Sequence, residues 1–492
     1  MNRNNNSTIH DPSSSKHLHS SSDKQDNNLL PIVVVGAGAA GLAVAASLIL
    51  RGVKRTVTVL EAQKNSLGSW DSHFSNLKVT TQKRYCHLPG FPMSDKDFPG
   101  KTISSHQYGE YLRLYVDHFG IDVKYEKRVK HIAPVPGGDD HHDAAAPAAR
   151  WVLECFFDED DEEESTTIQA WTVIVATGKL RVPNWDPDLR ATLTAAGINV
   201  VHSTEMQDAT IWANATDAAL NGKLCVVGLG NSSADILHAV LQSCDSSGGA
   251  STSSAAAAAA SASPTIHVAA RSVPPVFPIR PFNCCCRLDT MGSFVRLLPK
   301  KIQESILHLL LVIEPVNVAC NKAFPRNIPR WKALNERFPT IDKYGTIHSA
   351  LKSGVIIGHG VICDVSMNKE VSFQDGGHGD AGDRKSAVQH PMDMVVMATG
   401  YKNDDYLVPD EDRSNGLFLC GFGDPRLLPL KTMGEEATAI AKQIVGDLKN
   451  RLRKQQADNV PTGVEQHQVR AADQVVVPSQ EDLDDTWCDN QV

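Results

Sequence analysis

Two short glycine-bearing stretches carry the chemistry that can be read from this chain. Pro31-Ile32-Val33-Val34-Val35-Gly36-Ala37-Gly38-Ala39-Ala40-Gly41-Leu42 runs from an apolar strand into a tight turn. Val226-Val227-Gly228-Leu229-Gly230-Asn231-Ser232-Ser233-Ala234 repeats the pattern about 190 residues later. A turn of this kind that opens a helix offers free amides and a positive dipole end, which suits a pyrophosphate. One turn points to one dinucleotide. Two turns point to a pair of dinucleotides, as in flavoproteins that take hydride from a nicotinamide.

Each residue of the first turn has a physical task. Gly36 permits the sharp turn, Gly38 lets backbone approach a pyrophosphate, and Gly41 lets the helix pack close to the strand. A second strand, Thr56 to Leu60, ends at Glu61, whose carboxylate can accept from a ribose hydroxyl. In the second turn, Gly228 and Gly230 keep their places, while Ser233 replaces the third glycine and is still small. The strand Thr265 to Ala270 that follows ends at Arg271-Ser272. A cation beside a hydroxyl suits a 2′-phosphate, which Glu61 would repel. The expectation is therefore FAD at the first turn and NADPH at the second. The competing reading of Arg271 is a plain surface cation at a strand end.

These turns need elements that position them. The chain has 492 residues, more than one core usually serves. The pattern predicts an α/β protein with two Rossmann-like dinucleotide-binding domains, the NADP domain inserted into the FAD domain. The expected limits are a disordered tail over 1–29, the first part of the FAD domain over 30–205, and the NADP domain over 206–345. The second part of the FAD domain is expected over 346–450, and a tail over 451–492. Trp171 to Gly178 is a buried strand ending in Ala176-Thr177-Gly178. Asp393 to Tyr401 repeats it with Ala398-Thr399-Gly400, and the two are expected to bracket the inserted domain. A last strand, Gly416 to Cys420, leads through Gly421 to a helix from about Glu435 to Lys449. Stretches 136–149, 157–166, 245–263 and 375–388 read as surface insertions or low complexity.

Composition excludes several classes. The net charge of −9 supplies no basic field for nucleic acid. The 11 cysteines lack metal-ligand spacing, and Cys284-Cys285-Cys286 has no spacers, so no metal site is expected. His141-His142 sits in an insertion, where metal binding is not the favoured reading. No segment reaches the length of a membrane helix. Ile302 to Val318 comes nearest, but Gln303, Glu304, His308, Glu314 and Pro315 interrupt it. It reads as an amphipathic helix, either packed on the core or lying on a membrane surface. The polar N-terminus has no apolar segment of a secretory signal, so a cytoplasmic, reduced protein is expected.

These residues resemble the flavin-containing monooxygenases, most closely the plant YUCCA-type branch. The likeness covers roughly 30–450. Its markers are the two turns, Glu61 followed by Gly68-Ser69-Trp70, the paired Ala-Thr-Gly strands, and Leu77 to Pro92 with Cys86-His87-Leu88-Pro89. Pro339 to Gly345 and Gly416 to Phe422 fit as well. There are departures. Phe98 and Gly100 match the Phe-x-Gly-x-x-x-His signature, but Ser104 holds the histidine position and His106 falls two later. Thr80 falls, by a gapped alignment, where animal members place an asparagine near the flavin, and Ser69 replaces a glycine.

The resemblance implies an NADPH-dependent FAD monooxygenase acting on a small organic substrate with O2. NADPH would reduce FAD, O2 would add at flavin C4a, and bound NADP+ would shelter the hydroperoxide. The cofactor carries that chemistry, and no catalytic residue is assigned. Thr177, Gly178, Thr399, Gly400 and Gly421 would border the cofactors. Trp70 would lie near the isoalloxazine, or else serve as core. The substrate suggested by the branch is an aromatic 2-oxo acid such as indole-3-pyruvate, oxidatively decarboxylated. N- or S-oxygenation, Baeyer–Villiger insertion, and a nucleotide-binding regulator without turnover are the other readings. A disulfide reductase would need paired cysteines near the flavin, which Cys86 and Cys420 do not form in sequence.

Overall fold

The computed structural model describes residues 31–458, except 54–55, 65–66, 74–76, 136–149, 157–164, 180–181, 248–262, 275, 279, 281–294, 296–297, 300, 304, 307–308, 310–314, 325–339, 375–387, 403–406, 408–415 and 423–428. Cys284-Cys285-Cys286, His141-His142, most of the expected insertions and nearly all of both expected tails lie outside the described residues.

The first parallel sheet has the order Leu417–Leu419, Thr172–Val175, Ile32–Val35, Val57–Leu60, Asp122–Lys124. Its central strands are continuous Val/Ile runs buried on both faces, as a covered parallel sheet requires. One face packs on the helix Ala39–Ile49, whose residues from Ala39 to Leu48 are all buried. Its small alanines let the long helix Pro429–Asp458 pack across it. The other face packs on an antiparallel sheet of Arg128–Pro134, Trp151–Phe156 and Ser165–Ala170.

The second parallel sheet has the order Ile356–His359, Ile266–Ala269, Leu224–Val227, Met394–Met397, Asn199–His202. Helices Ala209–Leu220, Asn231–Ser247 and Thr346–Ser353 supply one core. An antiparallel sheet of Ile362–Val365, Glu370–Phe373 and Val388–Pro391 closes the other face.

This topology corrects the expected return of the chain. Met394–Met397 does not rejoin the first sheet. It pairs with Leu224–Val227 just as Thr172–Val175 pairs with Ile32–Val35. The two Ala-Thr-Gly strands are therefore equivalent positions in two separate sheets. The crossings lie just beyond them, where Val182–Pro183 and Tyr401–Lys402 pair antiparallel. The second unit thus takes in Asn199–His202, Ile356–His359 and Met394–Met397, all outside 206–345.

Smaller differences have local causes. Ser165 and Thr166 belong to a strand, Val388 begins one, and 245–247 complete a helix, so the insertions are shorter than expected. The last helix extends beyond Glu435–Lys449 at both ends. Pro315 starts the helix Pro315–Ala323 rather than interrupting one, as the first turn of a helix allows. That helix buries Val316 and Cys320 in the second core. Among the described residues, no helix is long and apolar enough to cross a membrane.

Candidate cofactor and active site

The first turn shows which of its glycines the protein itself requires. Gly36 has φ +104°, and a Cβ there would stand 2.7 Å from the Ala176 carbonyl oxygen. A Cβ on Gly41 would stand 2.0 Å from the Gly36 carbonyl oxygen, so the helix could not sit where it does. Gly38 differs. It caps the helix at φ −73°, a conformation open to any residue, and a Cβ there would meet only Gly68 Cα at 3.9 Å. Neither strain nor packing in this chain requires glycine at 38. The open space before a helix N-terminus that lacks a side-chain cap is what a pyrophosphate needs. Gly68, in turn, has φ +71°, and its Cβ would stand 2.9 Å from Gly38 Cα.

Glu61 is buried at the end of the second strand. Its carboxylate accepts from Ala37 N–H at 2.8 Å and from Gln63 N–H at 3.0 Å. Burial pushes its carboxyl up, against those backbone donors and Arg128, which pull it down. Glu61 thus braces the turn from below.

The second turn has the same construction. Gly228 has φ +106°, and a Cβ would stand 2.5 Å from the Ala398 carbonyl oxygen, while around Gly230 the space is open to 4 Å. Ser233 is fully buried, and its hydroxyl donates to the Gly228 carbonyl at 2.8 Å. It therefore bonds the carbonyl that corresponds to the one excluding a side chain at Gly41. Arg271 is exposed beyond the end of its strand, and Ser272 beside it is half-buried.

Thr399 and Gly400 are held from the other crossing. The Thr399 hydroxyl donates to the Asn184 carbonyl, and Asn184 N–H donates to the Gly400 carbonyl at 2.9 Å. Gly178 and Gly400 both have positive φ with open space where a Cβ would point. Thr177 is half-buried at the matching position of the first sheet. Gly421 N–H donates to the Glu436 carboxylate at 2.9 Å, and a Cβ on Gly421 would stand 2.9 Å from Ala40 Cβ. Gly421 thus meets the first turn's helix at its start.

Trp70 lies two residues past Gly68 and is half-buried, with its ring 4.4 Å from that of Tyr108. Tyr108, Tyr111 and Tyr115 share one face of the helix Ser105–Phe119. Their hydroxyls donate to the carbonyls of Cys86 at 3.2 Å, Phe91 at 2.7 Å and Pro89 at 2.7 Å. That ladder fixes the Cys86-His87-Leu88-Pro89 segment. Ser104 caps this helix, accepting from Gln107 N–H at 3.1 Å, while Gln107 accepts from Ser104 N–H at 2.9 Å. A capping serine accounts for the departure at Ser104, and His106 points to solvent near Glu110. Thr80 is half-buried in the bend that leads to this segment.

Sequence reasoning missed a polar group that joins the two units. Thr340 donates to the Leu229 carbonyl at 2.6 Å, and Asn231 accepts from Ile341 N–H at 2.7 Å, so Thr340–Asp342 clamps the second turn. Lys343, next in sequence, pairs with Asp235 and donates to the Lys78 carbonyl of the first unit at 2.8 Å. Burial, followed by the nearby Lys343 charge, lowers the pKa of His73 and of His238. The only available signal was the marker Pro339 to Gly345. Cys86 and Cys420 are buried free thiols, and neither forms a disulfide.

Two nucleotide turns on two joined parallel sheets define a flavoprotein oxidoreductase of the two-dinucleotide type. The comparisons narrow this class. A profile described as pyridine nucleotide-disulphide oxidoreductase matches residues 33–141, and one for L-lysine 6-monooxygenase/L-ornithine 5-monooxygenase matches 97–266. A probable indole-3-pyruvate monooxygenase, YUCCA1 of Arabidopsis thaliana, is 25% identical over 79% of this chain and 80% of its own length. The indole-3-pyruvate monooxygenase YUCCA1 of Oryza sativa subsp. japonica is 27% identical over 76% and 77%. A double-substituted flavin monooxygenase from Stenotrophomonas maltophilia shares the fold at a TM-score of 0.52 and 16% identity, over 85% of this chain and 99% of that one. A cyclohexanone monooxygenase shares it at 0.54 and 13% identity, over 84% and 87%. The chain is similar over most of its length to flavin-dependent monooxygenases, enzymes that use FAD and NADPH.

Proposed function

We propose that FAD binds at the Gly36–Gly41 turn and NADPH at the Gly228–Ser233 turn, and that the enzyme oxygenates a small organic substrate with O2. The observation that carries this reading is the pair Gly38 and Gly230. Both are glycines at helix starts, and at neither does the chain's own packing forbid a side chain. Glu61 takes the flavin ribose, and exposed Arg271 with Ser272 takes the 2′-phosphate of NADPH.

Bound flavin supplies the activation of oxygen. The chain binds, orients and keeps water out. Gly68 lets the segment carrying Trp70 approach the first turn, and the Tyr108–Tyr115 ladder holds that segment's neighbour rigid. The Asn184–Thr399 contact ties the two crossings together, so the turns keep a fixed relation while hydride passes.

For the substrate, we favour an aromatic 2-oxo acid such as indole-3-pyruvate, oxidatively decarboxylated. The similarity to YUCCA-type relatives over most of the chain supports it. N-oxygenation of an amine is the second reading, favoured by the profile match over 97–266. Work in the cytoplasm is supported by the free cysteines among the described residues. A product screen by mass spectrometry under 18O2 tests the substrate. One labelled oxygen in an arylacetic acid, with loss of CO2, supports the first reading, and a labelled N-hydroxyl product overturns it.

A further inference from the structure

Three imidazoles from distant parts of the chain converge between the second sheet and its antiparallel cover. His267 lies within Ile266–Ala269, His359 ends the adjacent strand Ile356–His359, and His390 lies in Val388–Pro391. One ring nitrogen of each lies within 4.8 Å of the other two. His267 Nδ1 and His359 Nε2 are 2.8 Å apart. His359 also stacks on the buried ring of Phe373, with centroids 4.1 Å apart.

The surroundings make this cluster unusual. Leu193, Val371, Phe373, Met392 and Met397 form an apolar layer here. His267 and His359 are 3% and 4% exposed within it, so polar rings stand where apolar side chains would pack at no desolvation cost. Burial holds both rings neutral, pushing His267 down to about 4 and His359 down to about 3. In the contact between His267 Nδ1 and His359 Nε2, one nitrogen carries the proton and the other offers its lone pair.

We propose that His267, His359 and His390 bind a divalent transition-metal ion of the zinc class, pinning the antiparallel sheet to the second parallel sheet. Zinc–nitrogen bonds of about 2.0–2.1 Å place tetrahedral ligand nitrogens roughly 3.3 Å apart. The observed 2.8 Å contact and the 4.8 Å limit bracket that spacing. Neutral imidazoles suit zinc, and the absence of a carboxylate from the set disfavours magnesium and calcium. His390 is half-buried, which gives the ion an entry side and leaves the fourth position to water. As the ion enters, the proton shared between His267 and His359 moves to the far nitrogen of His359.

The test uses the full chain with FAD bound, stripped with a chelator and titrated with Zn2+ by calorimetry and with Co2+ by visible absorption. The proposal expects one Zn2+ per chain, tetrahedral Co2+ bands and a raised melting temperature. His390→Gln and His359→Gln should each weaken Zn2+ binding by about 10–100-fold or more, with flavin content unchanged. If His359→Gln does not fold, His390→Gln at the half-buried position carries the test. Absence of Zn2+ binding would overturn the proposal. So would binding of equal strength in the variants, which would place the ion on other histidines such as His141-His142.

Discussion

Lys343 Nζ stands 2.7 Å from one carboxylate oxygen of Asp235 and 2.9 Å from the other, and both side chains are nearly enclosed. The same ammonium donates to the Lys78 carbonyl at 2.8 Å, so one buried ion pair on the second unit grips the backbone of the first. Burial outweighs the ion pair at Asp235 and pushes its carboxyl above the ordinary range. Removing Lys343 leaves that carboxylate buried with no counter-ion, which commonly costs about 3–5 kcal/mol.

The sign of the pH dependence follows. In Lys343→Met, the Asp235 carboxyl titrates higher in the folded state than in the unfolded one. The folded state then holds the extra proton, so stability is greatest at low pH and falls as pH rises from about 4 upward. The melting deficit against the parent should therefore be small at about pH 5 and large at about pH 8. A deficit independent of pH would mean that Asp235 is not left charged and buried.

Gly38→Val separates a cofactor role from a folding role. The backbone at Gly38 suits any residue, and its Cβ would meet protein only at 3.9 Å. The variant should fold, with FAD content or affinity lowered about tenfold or more, which is ~1.4 kcal/mol. Gly36→Ala should instead fail to fold well, because its Cβ would press on the Ala176 carbonyl at 2.7 Å in a left-handed conformation. Flavin absorbance per folded chain distinguishes the two. Full flavin content in Gly38→Val would remove the assignment of the first turn.

Arg271→Ala should erase most of a preference for NADPH over NADH. A hydrogen bond to a charged group contributes about 1.5–3 kcal/mol, a factor of roughly 10 to 150 in the ratio of kcat/KM values. Because Arg271 is exposed beyond its strand, stability and FAD content should hardly change. An unchanged ratio would make it a strand-end cation and nothing more.

Arg271→Ala should also leak. If NADP+ stays in the second turn after hydride transfer, it helps keep water from the reacting flavin, and water there diverts oxygen to hydrogen peroxide. Stopped-flow mixing of NADPH-reduced enzyme with O2 should reveal a spectral species between reduced and oxidised flavin. Its lifetime should shorten in Arg271→Ala, with more peroxide released per NADPH. Direct reoxidation in both proteins, with stoichiometric peroxide whatever substrate is added, would indicate an oxidase instead.

How much of this was legible in the sequence depended on the range of the forces involved. The turns at Gly36 and Gly228 are local: a strand, a positive φ and a helix start lie within a dozen residues, and their spacing reports them directly. The Ala-Thr-Gly strands were equally visible as strands. Their sheet membership was not, because identical apolar runs fit either sheet, and only pairing with Leu224–Val227 decides where Met394–Met397 belongs. Ser104 looked like a broken motif until its bond to Gln107 revealed a helix cap.

By itself, the sequence determined two Rossmann-like strand–turn–helix units, since those rest on neighbours in the chain. Tertiary structure alone decided where the units cross, that Lys343 reaches the Lys78 carbonyl, and that His267, His359 and His390 meet. Each of these relations joins residues tens to hundreds of positions apart. They exist only once sheet pairing and burial have closed the loops between them, and no periodicity in the chain encodes which distant loops will close together.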